Sequence, residues 1–435
     1  MENLTGIIGL ILFLAFAYAI SEKRDAMNKR VILWGLGLQL VLALLILGVP
    51  ALGFDGPLRF LFDSANSAIN SILEYTDEGS VFIFGSLLDQ NKMGHIFAVS
   101  VLPTIIFMAS LMAVFYHWGV MQKIVWAMAT VMQKLMGTSG AESLSVAANV
   151  FVGQTEAPLV IKPYLEKMTR SELMAVMTGG MATVAGGVLA AYVDMLNERI
   201  PDIAGHLLTA SFMSAPAALA MAKIMIPETK KPETLGKLPK STGEGTKYSN
   251  TIEAAAMGAS DGLKLAVNVG AMLLAFIALM ALLNGVLAEI GELMAFSSWG
   301  AGLIPEGLPT SDAGPTLSFQ LVLAYLFAPV AFVMGIPWSE ALLAGSLLGE
   351  KIVLNEFVAY LHFAEMGETF SDRSVIILSY ALCGFANFSS IAIQIGGIGS
   401  LAPNQRSELA KLGIRSVIGG SLAAFSTACI AGILI

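Results

Sequence analysis

Long apolar runs separated by short polar stretches dominate the chain. Runs from Leu4 to Ile20, Val31 to Val49 and Ile96 to Trp118 come first, followed by runs near 172–193, 204–226, 262–288, 375–399 and 413–435. Each is close to the roughly 20 residues a helix needs to cross a hydrocarbon core, so the pattern predicts eight transmembrane helices. Polar and apolar positions do not alternate over segments of about ten residues, which sets aside a transmembrane β-barrel. Residues 51–94 are mixed, but Leu58, Leu61, Phe62, Ala65, Ile69 and Ile72 recur at helical spacing and predict an interfacial helix. The first run lacks a long basic lead and a small-residue cleavage site, so it reads as a retained span.

Two further apolar regions are interrupted. In 143–165, Gly153-Gln154-Thr155-Glu156-Ala157-Pro158 separates two pieces, each too short to cross. In 339–363 the interruption is Leu354-Asn355-Glu356-Phe357. Lipid forbids such breaks unless protein or a water-filled cavity surrounds them, so both regions read as re-entrant hairpins. Each hairpin is followed by a span broken by small and polar residues, Gly179 to Gly187 in 172–193 and Cys383 to Ser390 in 375–399. Thr155-Glu156 matches Asn355-Glu356, Arg170-Ser171 matches Arg373-Ser374, and Gly180-Met181-Ala182-Thr183 matches Gly384-Phe385-Ala386-Asn387.

Charge placement orients the spans. Eighteen of the 24 basic residues fall on one side if the N-terminus is outside, among them Lys23, Arg24, Lys29, Arg30, Lys167, Arg170, Lys223, Lys230, Lys231, Lys240, Lys247, Arg406 and Arg415. The stretch from 289 to 316, on the other side, has no Lys or Arg. The positive-inside rule then puts both termini on the outer side. It also runs the two matched units in opposite directions, an inverted repeat of the kind that builds ion and substrate sites near the bilayer midplane. The expected organisation is a three-span N-terminal part with the interfacial helix (1–118), a first repeat unit (119–226), a flexible cytoplasmic linker (227–250), a long scaffold span (251–290) and a second repeat unit (317–435).

Composition agrees with a lipid solvent. Fifty-six per cent of the 435 residues are hydrophobic and 13% charged, about half the charge of soluble chains, and mean hydropathy is +0.75. The net charge of -8 comes with no basic patch for nucleic acid. Cys383 and Cys429 lie in apolar runs and read as packing residues, and histidines 95, 117, 206 and 362 lack the i, i+4 spacing of a helical zinc pair. No organic cofactor is called for. Glu156 and Glu356 are the groups that need explaining, because a carboxylate in an apolar span requires a partner or a function. Pairing with Lys162 or Lys351 is the structural alternative, though both lysines sit toward hairpin ends and could reach headgroups by snorkelling. Gln154 and Thr155 offer the donors and acceptors that suit a nucleobase edge. Asn387 and Ser390, three apart on a broken helix, can face Glu356 and with it bind vicinal ribose hydroxyls.

The strings GQTEAPLVIKPYL, NEFVAY and SYALCGFANFSSIAIQIGGIGSLAP, together with GLKLAVNVGAML, closely resemble the signature segments of concentrative nucleoside transporters, especially shorter bacterial members. The likeness runs over nearly the whole chain. It implies a homotrimer in a bacterial inner membrane, each protomer with a scaffold and a moving part, and sodium-coupled symport of a nucleoside such as uridine or adenosine. Proton coupling, a channel and an intramembrane enzyme are the alternatives. By resemblance, Gln154, Thr155 and Glu156 face the base, Val188 and Leu265 line it, and Glu356, Asn387 and Ser390 hold the ribose near Phe385. Sodium is expected on the side-chain oxygens of Asn149 and Thr183 and the carbonyls of Val152 and Val184. Relatives often carry Ser where this chain has Thr183.

Overall fold

The eight apolar runs form helices, and those near 172–193 and 375–399 are each broken in two. The fold is that of a computed structural model, which describes residues 2–94, 96–197, 199–200, 202–239, 248–308, 314–366 and 369–435; His95, Lys240, Lys247 and the centre of the expected linker lie outside them. Among the described residues there are sixteen helices of ten residues or more. The first five are α1 (Glu2–Ala19), α2 (Lys29–Ile46), α3 (Arg59–Phe84), α4 (Leu102–His117) and α5 (Val120–Met136). Then come α6 (Gly140–Asn149), α7 (Arg170–Ala182), α8 (Gly186–Leu196), α9 (Ile203–Met225) and α10 (Thr251–Leu293). The last six are α11 (Phe319–Val333), α12 (Trp338–Val353), α13 (Glu356–Met366), α14 (Asp372–Leu382), α15 (Phe388–Leu401) and α16 (Arg406–Leu434).

Among the described residues, six continuous or nearly continuous stretches are long and apolar enough to cross a bilayer: 29–46, 97–117, 170–196, 203–225, 251–293 and 403–434. The other two predicted spans correspond to the shorter α1 and to the pair α14 and α15. Burial sorts the stretches. Those at 170–196, 203–225 and 403–434 are 89% buried, whereas 29–46, 97–117 and 251–293 are 22–33% buried. The first group is the core of the molecule, and the second turns Leu, Ile and Val side chains outward as lipid-facing helices do. The scaffold span is longer than expected: α10 has 43 residues, roughly 65 Å of helix. Its Gly258 and Gly262 let it press on α4 at Ala109 and Ile106.

The two repeat units have the same order of parts. In each, a helix (α5 or α11) leads into a hairpin, a half-helix (α7 or α14), a break, a second half-helix (α8 or α15) and a long closing helix (α9 or α16). The helix before the second hairpin, α11, was not among the predicted spans. It bends by 118° into α12, at a turn where Gly335 takes φ 104° and Pro337 caps the next helix. The first hairpin is less regular than expected: after α6 the chain is non-helical to Glu156, then runs through a 3-10 turn (Ala157–Ile161) and one turn of helix (Lys162–Leu165). The interfacial helix α3 buries Asn66, Ile69, Leu73, Thr76 and Ser80, while Leu61 is exposed.

The start of the expected flexible linker is docked. Gly140 N donates to the Thr234 carbonyl at 3.0 Å and Ala141 N to Thr234 Oγ1 at 3.0 Å, so residues near 234 satisfy amides that the first turn of α6 leaves unpaired. Nearby, Lys223 Nζ meets Glu142 at 2.7 Å in the interior. Ser139 and Thr169 open α6 and α7 with capping boxes through Glu142 and Glu172, and Ser139 Oγ also donates to Glu172 at 2.6 Å. The base of the first hairpin is thus fixed to α7 and α9.

Basic residues gather at this end. Arg170 donates to Glu22 at 2.9 Å and also to Glu408, and Arg415 Nε lies 3.7 Å from Glu22. Arg30 reaches the carbonyls of Lys134 and Leu135 at 2.6 and 2.8 Å. Because α1 ends and α16 begins here, the two chain ends lie at the far ends of those helices. The hydrogen bond from Arg170 holds the Glu22 carboxyl below its ordinary value of 4.5, against the opposing effect of partial burial. A depressed folded value stabilises above the unfolded one and is lost as pH falls through the folded one. The thermal-unfolding midpoint of the purified chain should therefore drop as pH is lowered below 4.5. Glu22→Gln should be less stable at pH 7 by up to about 1 kcal/mol and less sensitive to acid; equal acid sensitivity would contradict the pairing.

Candidate functional site

The breaks in the two halves face each other. Gly384, with φ 132°, lies so close to the end of α7 that a Cβ there would stand 2.8 Å from the Met181 carbonyl oxygen. Only Gly accepts both that backbone angle and that approach. The helical interruptions are narrower than the sequence pattern implied: Thr183 to Ala185 between α7 and α8, and Cys383 to Asn387 between α14 and α15. The first hairpin's tip is tied to the first break, since Gly186 N donates to the Phe151 carbonyl at 2.9 Å.

Glu356 stands at the centre of the second half. It opens α13, where unpaired amides favour negative charge, and is buried. Tyr192 from α8 donates its hydroxyl to Oε1 at 2.9 Å, and Asn387 donates Nδ2 to Oε2 at 2.8 Å. The Asn387 amide has no choice of orientation: its Oδ1 caps α15 by accepting from Ser390 N at 2.8 Å and takes the Ser389 hydroxyl at 2.7 Å, so its amino group must turn to the carboxylate. The rings of Phe357 and Tyr360 pack on Tyr192 with centroids at 5.2 and 4.5 Å, which excludes water and strengthens these bonds.

A polar chain joins this carboxylate to the first hairpin. Gln154 Nε2 donates to Ser390 Oγ at 3.0 Å, and Gln394 Nε2 donates to Gln154 Oε1 at 3.0 Å and to the Met177 carbonyl at 3.0 Å. Tyr192, Glu356, Asn387, Ser390, Gln154 and Gln394 therefore form one network across both repeat units. Thr155 is half-buried and packs toward Gly397 on α15, where a Cβ would come 2.8 Å from its methyl group.

The two acidic residues differ. Glu156 is exposed, within electrostatic reach of Tyr116 on α4, whose buried hydroxyl lacks a hydrogen-bond partner. Lys351 does not snorkel. It is fully buried, donates to the Ala381 carbonyl at 2.7 Å and lies 5.6 Å from the centre of the Phe425 ring; carbonyl and ring replace headgroups as its partners. Val188 is buried on α8, Leu265 is half-buried on α10, and Phe385 is half-buried within the second break. Both cysteines are free and buried.

The residues expected to hold sodium also gather. Thr183 Oγ1 lies 2.9 Å from the Asn149 carbonyl oxygen and 3.0 Å from that of Gly179. Asn149 is buried, its Nδ2 donating to the Ser145 carbonyl at 3.1 Å, while its Oδ1 and the Ser145 hydroxyl have no hydrogen-bond partner. Leaving a buried amide oxygen unmet costs about 1–3 kcal/mol, and a hard cation would meet it. Val152 and Val184 stand at the tip and the break on either side. Elsewhere, a cleft of about 610 Å³ beside Glu22, Arg170 and Glu408 includes none of these residues.

Tyr192 and Gln394 were not singled out from sequence. Gln394 had a signal, being polar within an apolar run and four and seven residues beyond Ser390 and Asn387, on the same helical face. Tyr192 had a weaker one, four residues after Val188.

A helical bundle whose discontinuous helices meet at a buried polar centre is a membrane transporter by architecture, and comparison with known proteins gives its kind. The chain matches the models of the Na+ dependent nucleoside transporter C-terminus over residues 206–432, of nucleoside recognition over 98–199 and of the Na+ dependent nucleoside transporter N-terminus over 8–87. It is 45% identical over 437 residues to the uncharacterized transporter YutK of Bacillus subtilis, covering the whole of both chains. It is 39% identical to the human solute carrier family 28 member 3, all of this chain matching 60% of that one. Rat sodium/nucleoside cotransporter 1 is likewise 39% identical, with all of this chain matching 64% of its length. Among solved structures, CNTnw in an inward-facing substrate-bound state superposes with a TM-score of 0.87 at 42% identity, covering 100% of this chain and 98% of that one. A CNTnw variant in an outward-facing state gives 0.87 at 41%, with the same coverage.

The chain belongs to the Na+-dependent, concentrative nucleoside transporter family. It is an integral membrane protein of a family of nucleoside transporters, not enzymes. At the meeting of the breaks, Gly384→Ala should destabilise by about 1–3 kcal/mol, read as a lowered thermal midpoint; an unchanged midpoint would show that the backbone there relaxes freely.

Proposed function

We propose that this protein is a sodium-coupled symporter that imports nucleosides by alternating access. The supporting observation is the network that links Glu356, Asn387 and Ser390 to Gln154 across both repeat units. A carboxylate beside an amide and a hydroxyl is the donor and acceptor set that vicinal ribose hydroxyls need. Glu356, Asn387 and Ser390 hold the ribose near Phe385, while Gln154, Thr155 and Glu156 face the base, with Val188 and Leu265 along its sides. Each Glu356 oxygen has a lone pair beyond the one it gives to Tyr192 or Asn387, so ribose hydroxyls can add to these bonds without displacing them.

The coupling ion is held by Asn149 Oδ1, Thr183 Oγ1 and the carbonyls of Val152 and Val184. The unmet Asn149 oxygen favours a sodium ion over a proton in this role, because neutral amide oxygens and carbonyls coordinate cations without titrating near neutral pH. An ion there ties the hairpin tip to the first break, and Gln154 follows Val152 by two residues. Ordering the tip therefore positions the base-binding residue. The matched units run antiparallel, with both termini on the outer side of a bacterial inner membrane, and three copies associate through the exposed outer helices.

Reciprocity requires sodium and nucleoside to tighten each other equally. Uridine titrations in sodium and in choline at fixed pH should give different dissociation constants, tighter in sodium; equal constants would leave proton coupling as the reading. Glu356→Gln should weaken uridine binding about a hundredfold while the protein elutes unchanged on size exclusion. Normal uptake by that variant in proteoliposomes would remove Glu356 from the ribose role.

A further inference from the structure

Gln394 belongs to neither proposed ligand set, yet it is fully buried and bonded to Gln154, the residue that leads the base-facing set. Its Nε2 has two acceptors, the Met177 carbonyl at 3.0 Å and Gln154 Oε1 at 3.0 Å. A main-chain carbonyl can only accept. Gln394 must therefore turn its amino group to Met177, and the same group supplies the bond to Gln154. Gln154 has to answer with its oxygen. Its amino group is left to face Ser390, which takes one of the two hydrogens at 3.0 Å, and the second is available to a ligand. Gly180 keeps the arrangement in register: a Cβ there would lie 2.8 Å from Gln394 Nε2 and 2.9 Å from Gln154 Cβ.

We propose that Gln394 is a positioning residue that fixes Gln154 as a hydrogen-bond donor toward the nucleobase, and so biases transport toward bases with a carbonyl at that edge over bases with an amino group there. Uridine and inosine present the carbonyl; cytidine and adenosine present the amine. The inference rests on the reading that Gln154 faces the base. Met177, at the end of this relay, belongs to α7, so the backbone of the first half dictates how a hairpin side chain reads a substrate.

Exchanging the anchor tests this. In Gln394→Glu the buried carboxyl stays protonated; its hydroxyl takes the place of Nε2, donates its one hydrogen to the Met177 carbonyl and, having none left for Gln154, accepts from the Gln154 amino group through its own oxygen. Gln154 is thereby reversed, and the Ser390 hydroxyl rotates to donate to it. In the purified full-length chain, competition against radiolabelled uridine should show the cytidine-to-uridine ratio of dissociation constants moving roughly tenfold in favour of cytidine, and the adenosine-to-inosine ratio moving the same way. Gln394→Met, close in volume but without a donor, should bring both ratios toward one. Equal weakening of all four nucleosides in both variants would assign Gln394 a merely structural role and overturn the proposal. Gln154→Leu separates the two layers. If it leaves every affinity unchanged, the base-facing reading falls and the inference with it. If it weakens binding while Gln394→Glu leaves the ratios fixed, the inference alone falls.

Discussion

A carboxylate inside a membrane protein has to be met by donors held in place before any ligand arrives, and the placement of Glu356 organises the second half of this molecule. The tyrosine hydroxyl from α8 and the amide from the second break each take one oxygen, and the start of α13 supplies favourable electrostatics. Neither donor is free to turn away. Asn387 is committed by its role as the cap of α15, and Tyr192 by packing against Phe357 and Tyr360. The result is a preorganised acceptor, whose cost of desolvation is offset by protein before substrate binds.

The same economy shapes the first half, with neutral groups in place of charge. At a helix break, main-chain carbonyls lose their intrahelical partners and become ligands. Here the hairpin tip is laced to the break by a backbone bond and by the Thr183 hydroxyl, so the proposed ion at Asn149 and the proposed base at Gln154 would act on one short segment. Close approach makes this compact. Gly180 on α7, Gly384 in the second break and Gly397 on α15 each stand where a methyl group would collide with the opposite unit, which explains why small residues interleave with polar ones in and around the breaks.

Much of this was legible in the chain. Apolar runs of bilayer length gave the spans, and Gly and Pro around Gln154-Thr155-Glu156 gave the first hairpin, because lipid penalises a broken helix regardless of context. Glu356, Asn387 and Ser390 were legible as a set for the same reason. What was not legible depends on which side chains meet. Glu156 and Glu356 look alike in sequence, but one is exposed and the other is enclosed. Lys351 reads as a snorkelling residue by position, yet a carbonyl and a ring across the core hold it inside. Tyr192 was not singled out, because periodicity reports burial and not the direction of a hydroxyl. The linker reads as flexible by composition, and only its contact with the start of α6 reveals that Thr234 is structural.

If Glu356 and Asn387 are the ribose receptor, the sugar hydroxyls carry much of the affinity, and comparing uridine with 2′,3′-dideoxyuridine in the same sodium-containing binding assay measures that directly. Each hydroxyl bonded to a carboxylate contributes about 1.5–3 kcal/mol, so the dideoxy compound should bind at least tenfold more weakly. Equal affinity for the two would mean that the carboxylate at residue 356 does not hold the sugar.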